Sequence, residues 1–288
     1  MARTLDVRPQ EVVMPRPLSP LWLACPSDLS KRVKTCIETA QADTSASVYV
    51  FFRADDVAVP GKNLDRLMDL FATKRVPLSL SVVPAWLTRP RWQQIRSLGR
   101  TAPLLWCWHQ HGWRHKNHAT TGKKQEFGPG RPSFIIKEDL IRGQQRLENL
   151  MGKEFDPIFT PPWNRCGHTT LELLKKLGYH AVSRNTGSRP SSPEGLPDFQ
   201  VNVDLHTRKA VNPLEDWKCF FTELRQALSS GLCGIMIHHQ QVAPYAGSGQ
   251  MTRDRKFSIC SGRPAAPSGK FLRNYERPLI SIIFSSRH

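Results

Sequence analysis

The sequence predicts an α/β fold in which a parallel sheet or barrel is wound with helices. Three observations favour it: the apolar runs are short and continuous, helical patterns fill most of the gaps between them, and polar residues that could bind a metal or take part in catalysis follow several runs. Continuous apolar runs are typical of parallel strands buried on both faces. Alternation of strand and helix is typical of a wound sheet or barrel. At 288 residues, the chain is long enough for one such domain.

Seven apolar runs rich in β-branched and aromatic residues are the predicted strands: 47–53, 78–86, 104–109, 158–163, 180–184, 199–205 and 234–238. Five segments with apolar residues three and four positions apart are the predicted helices: 28–40, 63–74, 133–151, 169–177 and 213–230. Gly178 and Gly231 follow the last two helical patterns, where glycine commonly ends a helix.

The chain divides into three parts by composition. Residues 47–240 hold all seven predicted strands and form the predicted globular domain, and residues 1–46 are an N-terminal extension without a strong strand pattern. Residues 241–288 contain Gly, Ser and Pro clusters and single basic residues, without an amphipathic helix of useful length. We therefore expect a poorly ordered basic tail after the domain.

The bulk composition narrows the class of protein. No run approaches the roughly 18 apolar residues that a membrane span requires, so no membrane span is predicted. Acids and prolines interrupt the first residues, which therefore lack the apolar core of a secretory signal and favour a cytoplasmic location. The seven cysteines are odd in number and never spaced as C-x-x-C, which argues against a disulfide framework or a cysteine zinc knuckle.

The formal net charge of +17 attracts polyanions such as nucleic acid, acidic lipid or acidic glycan. The basic residues are mostly single and scattered, without a lysine-rich block. This pattern favours a basic solvated surface over a dedicated nucleic-acid groove, so no specific nucleic-acid partner is predicted. The sequence leaves the oligomeric state open.

Two adjacent carboxylates follow the first predicted strand, in the sequence F-F-R-A-D-D. Carboxylates directly after buried residues are costly unless a cation or a donor compensates them. Adjacent residues on an extended chain point in opposite directions, so one of Asp55 and Asp56 could bind a metal while the other acts as a base. An Asp-Asp turn without chemical function is the alternative.

Four of the ten histidines follow the third predicted strand, in the sequence W-H-Q-H-G-W-R-H-K-N-H. Neutral imidazole is the commonest nitrogen ligand of metals in proteins. His111 and His115 share a face if a helical turn begins there, and His109 and His111 share a face if the strand continues. Either pair could chelate a metal, and a histidine-rich surface loop is the alternative.

Two further strand ends carry candidate residues. The fourth run leads into T-P-P-W-N, in which two prolines stiffen the chain and could hold the Trp163 amide towards an oxyanion. The Trp163 indole could also stack on a sugar ring. The seventh run ends at His238, which could be a general acid. A proline-rich turn and a structural histidine are the respective alternatives.

Taken in order over 47–240, Asp-Asp, His-x-x-x-His, Pro-Pro-aromatic and aliphatic-x-His resemble the motifs of the polysaccharide deacetylases with a NodB-homology domain, which are carbohydrate esterases. The resemblance implies a distorted (β/α)7-type barrel. It also implies a hydrolase that uses a divalent metal, with Zn²⁺ the expected one, to remove N- or O-acetyl groups from a carbohydrate. The positive charge makes an acidic carbohydrate a candidate substrate.

The resemblance also implies a role for each of six residues. Asp55 is the implied base, His238 the implied acid, and Trp163 the implied source of the oxyanion N–H. The implied metal ligands are Asp56, His111 and His115. Two rival hypotheses remain: a non-catalytic glycan-binding relative of the deacetylases and, less favoured, a basic nucleic-acid-binding protein.

The chain departs from the family pattern at several places. Arg53 and Ala54 stand where a Thr-Phe-like pair is usual, and Gly112 replaces the common Ser or Thr after the first ligand histidine. Thr160 replaces the usual arginine before Pro-Pro, which leaves open what supplies positive charge beside Asp55. Three other arginines are candidates for that charge: Arg53, Arg165 and Arg184.

Overall fold

A computed structural model of the chain describes residues 19–43, 47–241 and 282–284. The strands are β1 (Val48–Val57), β2 (Leu78–Val82), β3 (Trp106–His111), β4 (Phe155–Thr160), β5 (Ala181–Val182), β6 (Val203–Asp204), β7 (Leu232–His238) and β8 (Ile282–Phe284). The α-helices are α1 (Leu29–Asp43), α2 (Lys62–Lys74), α3 (Arg89–Leu98), α4 (Ser133–Met151), α5 (His168–Lys176) and α6 (Pro213–Ser229). Within these ranges, no helix combines the length and the hydropathy that crossing a bilayer requires.

Seven parallel strands form a curled half-barrel in the order β5-β4-β3-β2-β1-β7-β6, with helices between them. The predicted distorted (β/α)7-type barrel is therefore confirmed. The irregular segment 198–202, which leads into β6, runs between the two edges of the sheet: the Phe199 N–H donates to the Val182 carbonyl (2.8 Å) on β5 and the Asn202 N–H donates to the Gly234 carbonyl (2.9 Å) on β7. β8 adds antiparallel to the first residues of β1.

The main core lies between the sheet and helices α2, α3 and α4. All five predicted helices form, with bounds within three residues of the prediction. Helix α3 was not predicted, because it buries only Trp92 and Ile95 and so shows no strong apolar face in the sequence. It begins after Thr88, whose hydroxyl accepts from the Arg91 N–H (3.4 Å).

The described part of the N-terminal extension packs on α6. Leu21 is fully buried, and its N–H donates to the Asp216 carboxylate (2.9 Å), which also accepts from the Ser19 hydroxyl (3.1 Å). The prediction of a poorly ordered tail falls mainly on 242–281 and 285–288, which lie outside the described residues.

The register of the strands brings the candidate residues to one end of the barrel. Asp55 on β1 is paired with His238 on β7, and His111 on β3 is paired with Thr160 on β4. All of these positions are at the carboxyl ends of parallel strands. This is the edge at which α/β folds place their active sites.

Candidate active site

Asp56, His111 and His115 converge at the carboxyl ends of β1 and β3. Asp56 Oδ1 lies 3.2 Å from His111 Nε2 and 3.1 Å from His115 Nε2. One ligand atom from each residue lies within 4.8 Å of the other two. The sequence-predicted metal ligands are therefore close enough to bind one ion together.

The hydrogen bonding of these residues fits a divalent cation. His111 Nδ1 lies 2.9 Å from the Thr160 carbonyl oxygen, which can only accept, so a neutral His111 carries its proton on Nδ1 and presents an unprotonated Nε2 to Asp56. Asp56 Oδ1 is buried and has no hydrogen-bond partner among the described residues. Lone pairs facing each other at this distance are unfavourable unless a cation lies between them. One carboxylate and two imidazoles form a ligand set that leaves positions open for water and substrate.

The same contacts shift the pKa values of Asp56 and His111 in opposite directions. Burial favours the neutral form of Asp56, but the two adjacent imidazoles outweigh it and hold the pKa of the carboxyl well below its usual range. Burial also disfavours the charged form of His111, but Asp56 and Asp55 outweigh it and raise the pKa of this imidazole. Asp56 and Asp55 therefore favour the protonated, charged form of His111.

The segment after β3 corrects the expected histidine geometry. No helical turn forms over 111–115; instead the chain turns at Gly112 (φ 59°) and again at His115 (φ 58°). The alternative pair, His109 with His111, is also not brought together as ligands, because His109 Nε2 lies 2.9 Å from the Thr160 hydroxyl. Burial lowers the pKa of His109 to about 3, so it stays neutral. His118 is exposed and lies outside the ligand group.

Left-handed backbone conformations are concentrated at the site. Among the described residues, five non-glycine residues have positive φ, and four of them are Asp56, His115, Trp163 and Asn164. Such conformations cost on the order of 1–3 kcal/mol each and persist where the surrounding structure enforces them. At Asp56 the left-handed conformation coincides with a register shift of β1 against β2, so simple strand alternation does not describe how Asp55 and Asp56 diverge.

Asp55 is held by Arg53, two residues earlier on the same strand. Arg53 Nε donates to Asp55 Oδ1 (2.8 Å) and Nη2 donates to Oδ2 (2.8 Å), and both side chains are buried. The remaining donors of Arg53 bind the Ser183 hydroxyl (2.8 Å) and the Asn164 side-chain oxygen (2.6 Å). The charge that Thr160 lacks is therefore supplied by Arg53.

The other two candidate arginines have different partners. Arg184 is paired with Asp198 (2.7 Å), and Arg165 donates to the Lys124 carbonyl (3.1 Å). Burial favours the neutral form of Asp55, but Arg53, with smaller contributions from His111 and His238, keeps its pKa below the usual range. Asp55 is therefore ionised at neutral pH.

His238 lies beside Asp55 across the β1–β7 pair. Its side chain is buried, and its Nδ1 atom has no hydrogen-bond partner among the described residues. Its backbone N–H donates to His206 Nδ1 (3.1 Å), and His206 stacks on Trp22 with ring centroids 5.5 Å apart. The packing of the N-terminal segment therefore reaches the strand end that carries His238.

Two indoles flank His115. The Trp163 ring centroid is 4.4 Å from that of His115, and the Trp86 centroid is 5.7 Å from it. Trp163 lies in the turn Pro162–Asn164, and because Pro161 and Pro162 lack an N–H, its amide is the first backbone donor after β4.

A cavity of about 460 Å³ opens beside Asp56. Its wall includes the Trp86 indole and the first residues of α2, and it also includes His239 and Gln240. The Gln240 amide donates to the Asp56 carbonyl (2.7 Å), which fixes the backbone of the metal-ligand candidate at the cavity wall. The cavity is large enough for a sugar residue next to the ligand group.

Sequence reasoning missed several side chains that shape this site. Asn164 and Ser183 complete the hydrogen bonds of Arg53, and Glu126 accepts from the backbone of the loop that carries His115. Asn164 is adjacent to the Pro-Pro-Trp motif, which was a usable signal. Glu126 lies in a polar loop without any pattern, so only the tertiary structure reveals it.

The fold and site define an α/β barrel with a carboxylate–imidazole cluster at the carboxyl ends of its strands. No protein-family model matches the chain, and no curated protein matches its sequence. Solved structures similar to the chain are those of carbohydrate deacetylases and esterases, the family to which the motifs were compared. They include a putative polysaccharide deacetylase from Mycobacterium smegmatis (18% identity, TM-score 0.45, 62% of this chain and 64% of that chain).

Two others are a CE4 esterase from Streptococcus mutans (16% identity, TM-score 0.47, 70% and 79%) and a CE4 family pseudoenzyme from Bacillus anthracis (12% identity, TM-score 0.41, 68% and 56%). This chain thus spans less than two thirds of the length of the Mycobacterium structure.

Proposed function

We propose that the chain is a metal-dependent hydrolase that removes N- or O-acetyl groups from a carbohydrate. The observation that carries this proposal is the convergence of Asp56 Oδ1 with the Nε2 atoms of His111 and His115, next to an ionised Asp55. We propose Zn²⁺ as the metal, because one carboxylate and two imidazoles are typical ligands of catalytic zinc. When bound, such a metal activates water at neutral pH and polarises the acetyl carbonyl.

In this proposal Asp55 accepts the proton of the attacking water. Arg53 keeps the carboxylate ionised and fixes its plane through two hydrogen bonds. Each carboxylate oxygen has two lone pairs, so the contacts with Arg53 leave acceptor capacity for a water molecule. Asp55 therefore combines a fixed orientation with the capacity to act as a base.

Trp163 and His238 act on the two ends of the scissile bond. The Trp163 amide donates to the oxyanion, and its two preceding prolines and left-handed conformation restrict the movement of that donor. His238 protonates the leaving nitrogen or oxygen. Two observations support this role: its buried Nδ1 has no hydrogen-bond partner within the described part of the chain, and the residue lies beside Asp55.

The substrate proposed for the site is a carbohydrate. The Trp86 and Trp163 indoles both pack near the His115 ring, with centroids 5.7 and 4.4 Å away. An indole face is a suitable platform for the apolar face of a pyranose ring. The cavity beside Asp56 also contains Lys62 and Asn63 at the start of α2. Together with the net charge of +17, these polar groups favour a glycan that carries acidic groups.

Elemental analysis of purified variants tests the metal site. We expect His111→Ala and His115→Ala to lose the metal, because each removes one of three ligands. His118→Ala is the matched control, since this histidine lies nearby in the sequence but is exposed and outside the group. Unchanged metal content in both His111→Ala and His115→Ala would contradict the assignment.

Paired measurement of metal content and deacetylation rate separates the two aspartates. We expect Asp55→Asn to keep the metal and to lower turnover by about 10²–10⁴-fold, the usual contribution of general acid–base catalysis. Asp56→Asn should lose both metal and activity, because an amide is a poorer ligand than a carboxylate. An acetylated chitooligosaccharide and an aryl acetate are suitable substrates. Loss of metal from Asp55→Asn with retention in Asp56→Asn would reverse the two roles.

A non-catalytic glycan-binding protein is the second candidate function. One observation favours it: Arg53 engages both oxygens of Asp55, which reduces the freedom of the carboxylate to exchange protons. This candidate predicts that the wild-type protein binds metal and glycan but cleaves neither test substrate. Turnover that disappears in Asp55→Asn would exclude it.

A further inference from the structure

We infer that Glu126 is a positioning residue for the metal centre: its carboxylate holds the backbone of the 113–115 loop so that His115 faces Asp56 and His111. The inference rests on the proposed function, because it concerns the metal site proposed above. It assigns a role to a residue that contacts neither the substrate pocket nor the proposed ligand atoms.

Three consecutive backbone N–H groups donate to the Glu126 carboxylate. The Trp113 and His115 N–H groups donate to Oε2 (3.2 and 3.1 Å), and the Arg114 N–H donates to Oε1 (2.7 Å). Hydrogen bonds from N–H groups to an ionised acceptor are stronger than bonds between neutral groups. This one side chain therefore fixes the peptide planes that determine where the His115 imidazole points.

Glu126 itself is firmly attached to the barrel. It is fully buried, at 0% exposure, and its carbonyl accepts from Arg131 Nη1 (3.1 Å). The next residue, Phe127, accepts from the Gly167 N–H (2.8 Å) and is paired with Cys166, at the start of α5. The position of the carboxylate is thus set by the scaffold and is transmitted to the loop.

The groups that compensate the buried Glu126 carboxylate are the N–H groups of the 113–115 loop. Arg131, which donates to the Glu126 carbonyl, forms its ion pair with Asp139 (2.7 Å) and not with the Glu126 carboxylate, whose described hydrogen bonds come from backbone N–H groups. A buried carboxylate that depends on backbone donors is costly to maintain, and its donors are the amides next to and including His115. The carboxylate therefore depends on the loop for its hydrogen-bond donors, and the loop depends on the carboxylate for its conformation.

The absence of a side chain at Gly112 leaves space for the Glu126 carboxylate. A Cβ atom at position 112 would lie 2.2 Å from Glu126 Oε2 and 2.5 Å from Pro162 Cγ, and the residue has φ +59°. This explains the departure from the Ser or Thr that is common after the first ligand histidine. In this chain Glu126 holds the loop through its carboxylate, and a side chain at position 112 would displace that carboxylate.

Zinc titration of the metal-free protein tests the inference. We expect Glu126→Gln to bind Zn²⁺ about 10–100-fold more weakly than the wild type, the usual effect of removing a group that orients a metal ligand. The amide keeps the shape of the side chain but directs an NH₂ group at an N–H donor. The control is Asp216→Asn, another buried carboxylate, which accepts the Leu21 N–H (2.9 Å) and also pairs with Arg208 (3.0 Å), far along the chain from the ligands. It should lower the melting temperature and leave the Kd for zinc unchanged.

A second variant and a spectroscopic measurement distinguish a change at the metal site from general misfolding. Gly112→Ala keeps Glu126 but pushes its carboxylate away from the loop, so it should also weaken zinc binding. The visible absorption of the Co²⁺-loaded protein reports ligand number and geometry, and it should change in Glu126→Gln but not in Asp216→Asn.

The outcomes distinguish this inference from the proposed function. Wild-type zinc affinity in folded Glu126→Gln overturns the inference alone, as does an equal loss of affinity in Glu126→Gln and Asp216→Asn. If Glu126→Gln does not fold, wild-type zinc affinity in folded Gly112→Ala overturns it in the same way. A wild-type protein that binds no zinc overturns the metal-dependent function as well.

Discussion

Arg53 and Asp55 lie two positions apart on β1, so their side chains leave the same face of the strand and meet without the help of a loop. The pair is fully buried, and a buried charge without its partner is expensive. We expect Arg53→Met to lower the free energy of unfolding by about 3–5 kcal/mol, because Asp55 is left unpaired. Urea unfolding of the metal-free protein measures the effect.

A double variant provides the control for this prediction. Adding Asp55→Asn to Arg53→Met removes the unpaired charge of Asp55, so part of the lost free energy of unfolding should be recovered. The two substitutions are in contact and should therefore be non-additive. Strict additivity would show that the cost comes from lost packing of the arginine and not from its charge.

Buried neutral histidines predict loss of stability in mild acid. Burial lowers the pKa of His206 and of His239 to about 4, against 6.5 for an exposed histidine. The unfolded chain therefore binds protons between pH 6.5 and 4 that the folded chain does not, and stability falls as the pH decreases through this window. Each such histidine contributes a slope of about 1.4 kcal/mol per pH unit.

Urea unfolding at pH 6, 5.5 and 5 in the presence of a chelator tests this slope. His206→Gln should make it shallower by about one proton, because glutamine does not titrate. His111 acts in the opposite sense: its raised pKa gives stability that is lost as the pH rises above 6.5, outside this window. An unchanged slope in His206→Gln would show that other groups cause the acid sensitivity.

The sequence was informative about residues whose type is demanded by chemistry. Carboxylates and imidazoles directly after apolar runs are unusual, which made Asp55, Asp56 and the histidine cluster candidates, and the resemblance to the deacetylases assigned their roles and selected His111 with His115. What could not be predicted was their conformation, since left-handed backbone at Asp56 and His115 depends on tertiary contacts. The same holds for Arg53, one of three arginines that the sequence could not separate.

At the scale of elements, α4 was predicted over its observed range because its apolar residues follow the helical period without interruption. The ends of β1 and β3 were placed too early, at residues 53 and 109, because polar residues follow the apolar run. In the structure both strands continue through their polar residues, to Val57 and His111. At β1 and β3 the apolar pattern therefore underestimates strand length, whereas the predicted run 158–163 extends beyond the end of β4 at Thr160.

Helix α4 contains a glycine whose replacement should be harmful. Ala is ordinarily the better helix former by about 1 kcal/mol. A Cβ at Gly143, however, would lie 2.1 Å from Gln110 Nε2, a group that donates to the Gly112 carbonyl (2.9 Å). We expect Gly143→Ala to destabilise the protein by about 1–3 kcal/mol, through overpacking and loss of this buried hydrogen bond.

Thermal unfolding compares this variant with Gly130→Ala. A Cβ at Gly130 has no atom within 4 Å, so that substitution should change the free energy of unfolding by less than about 0.5 kcal/mol. Stabilisation by Gly143→Ala would show that Gln110 can move without cost.

At the scale of the whole molecule, the net charge of +17 creates a field that acts beyond individual contacts. Such a field raises the rate at which anionic substrates reach the site and is screened by salt. If the substrate is an acidic glycan, kcat/KM should fall by about tenfold or more between low and high ionic strength. A neutral acetylated chitooligosaccharide is the control and should show a much smaller change. Equal salt dependence for both substrates would contradict the preference for acidic glycans.

At the left-handed positions of the site, substitutions that raise thermal stability would remove side chains needed for the proposed function. A screen of random variants for thermal resistance alone would favour glycine at Asp56 or His115, because glycine adopts this conformation without steric cost. Each such gain would delete a proposed metal ligand. Arg75, the fifth left-handed residue, ends α2 away from the ligand group, so Arg75→Gly relieves the same conformation without touching the site. Efforts to make this protein more robust should therefore begin at Arg75 and leave the strained positions unchanged.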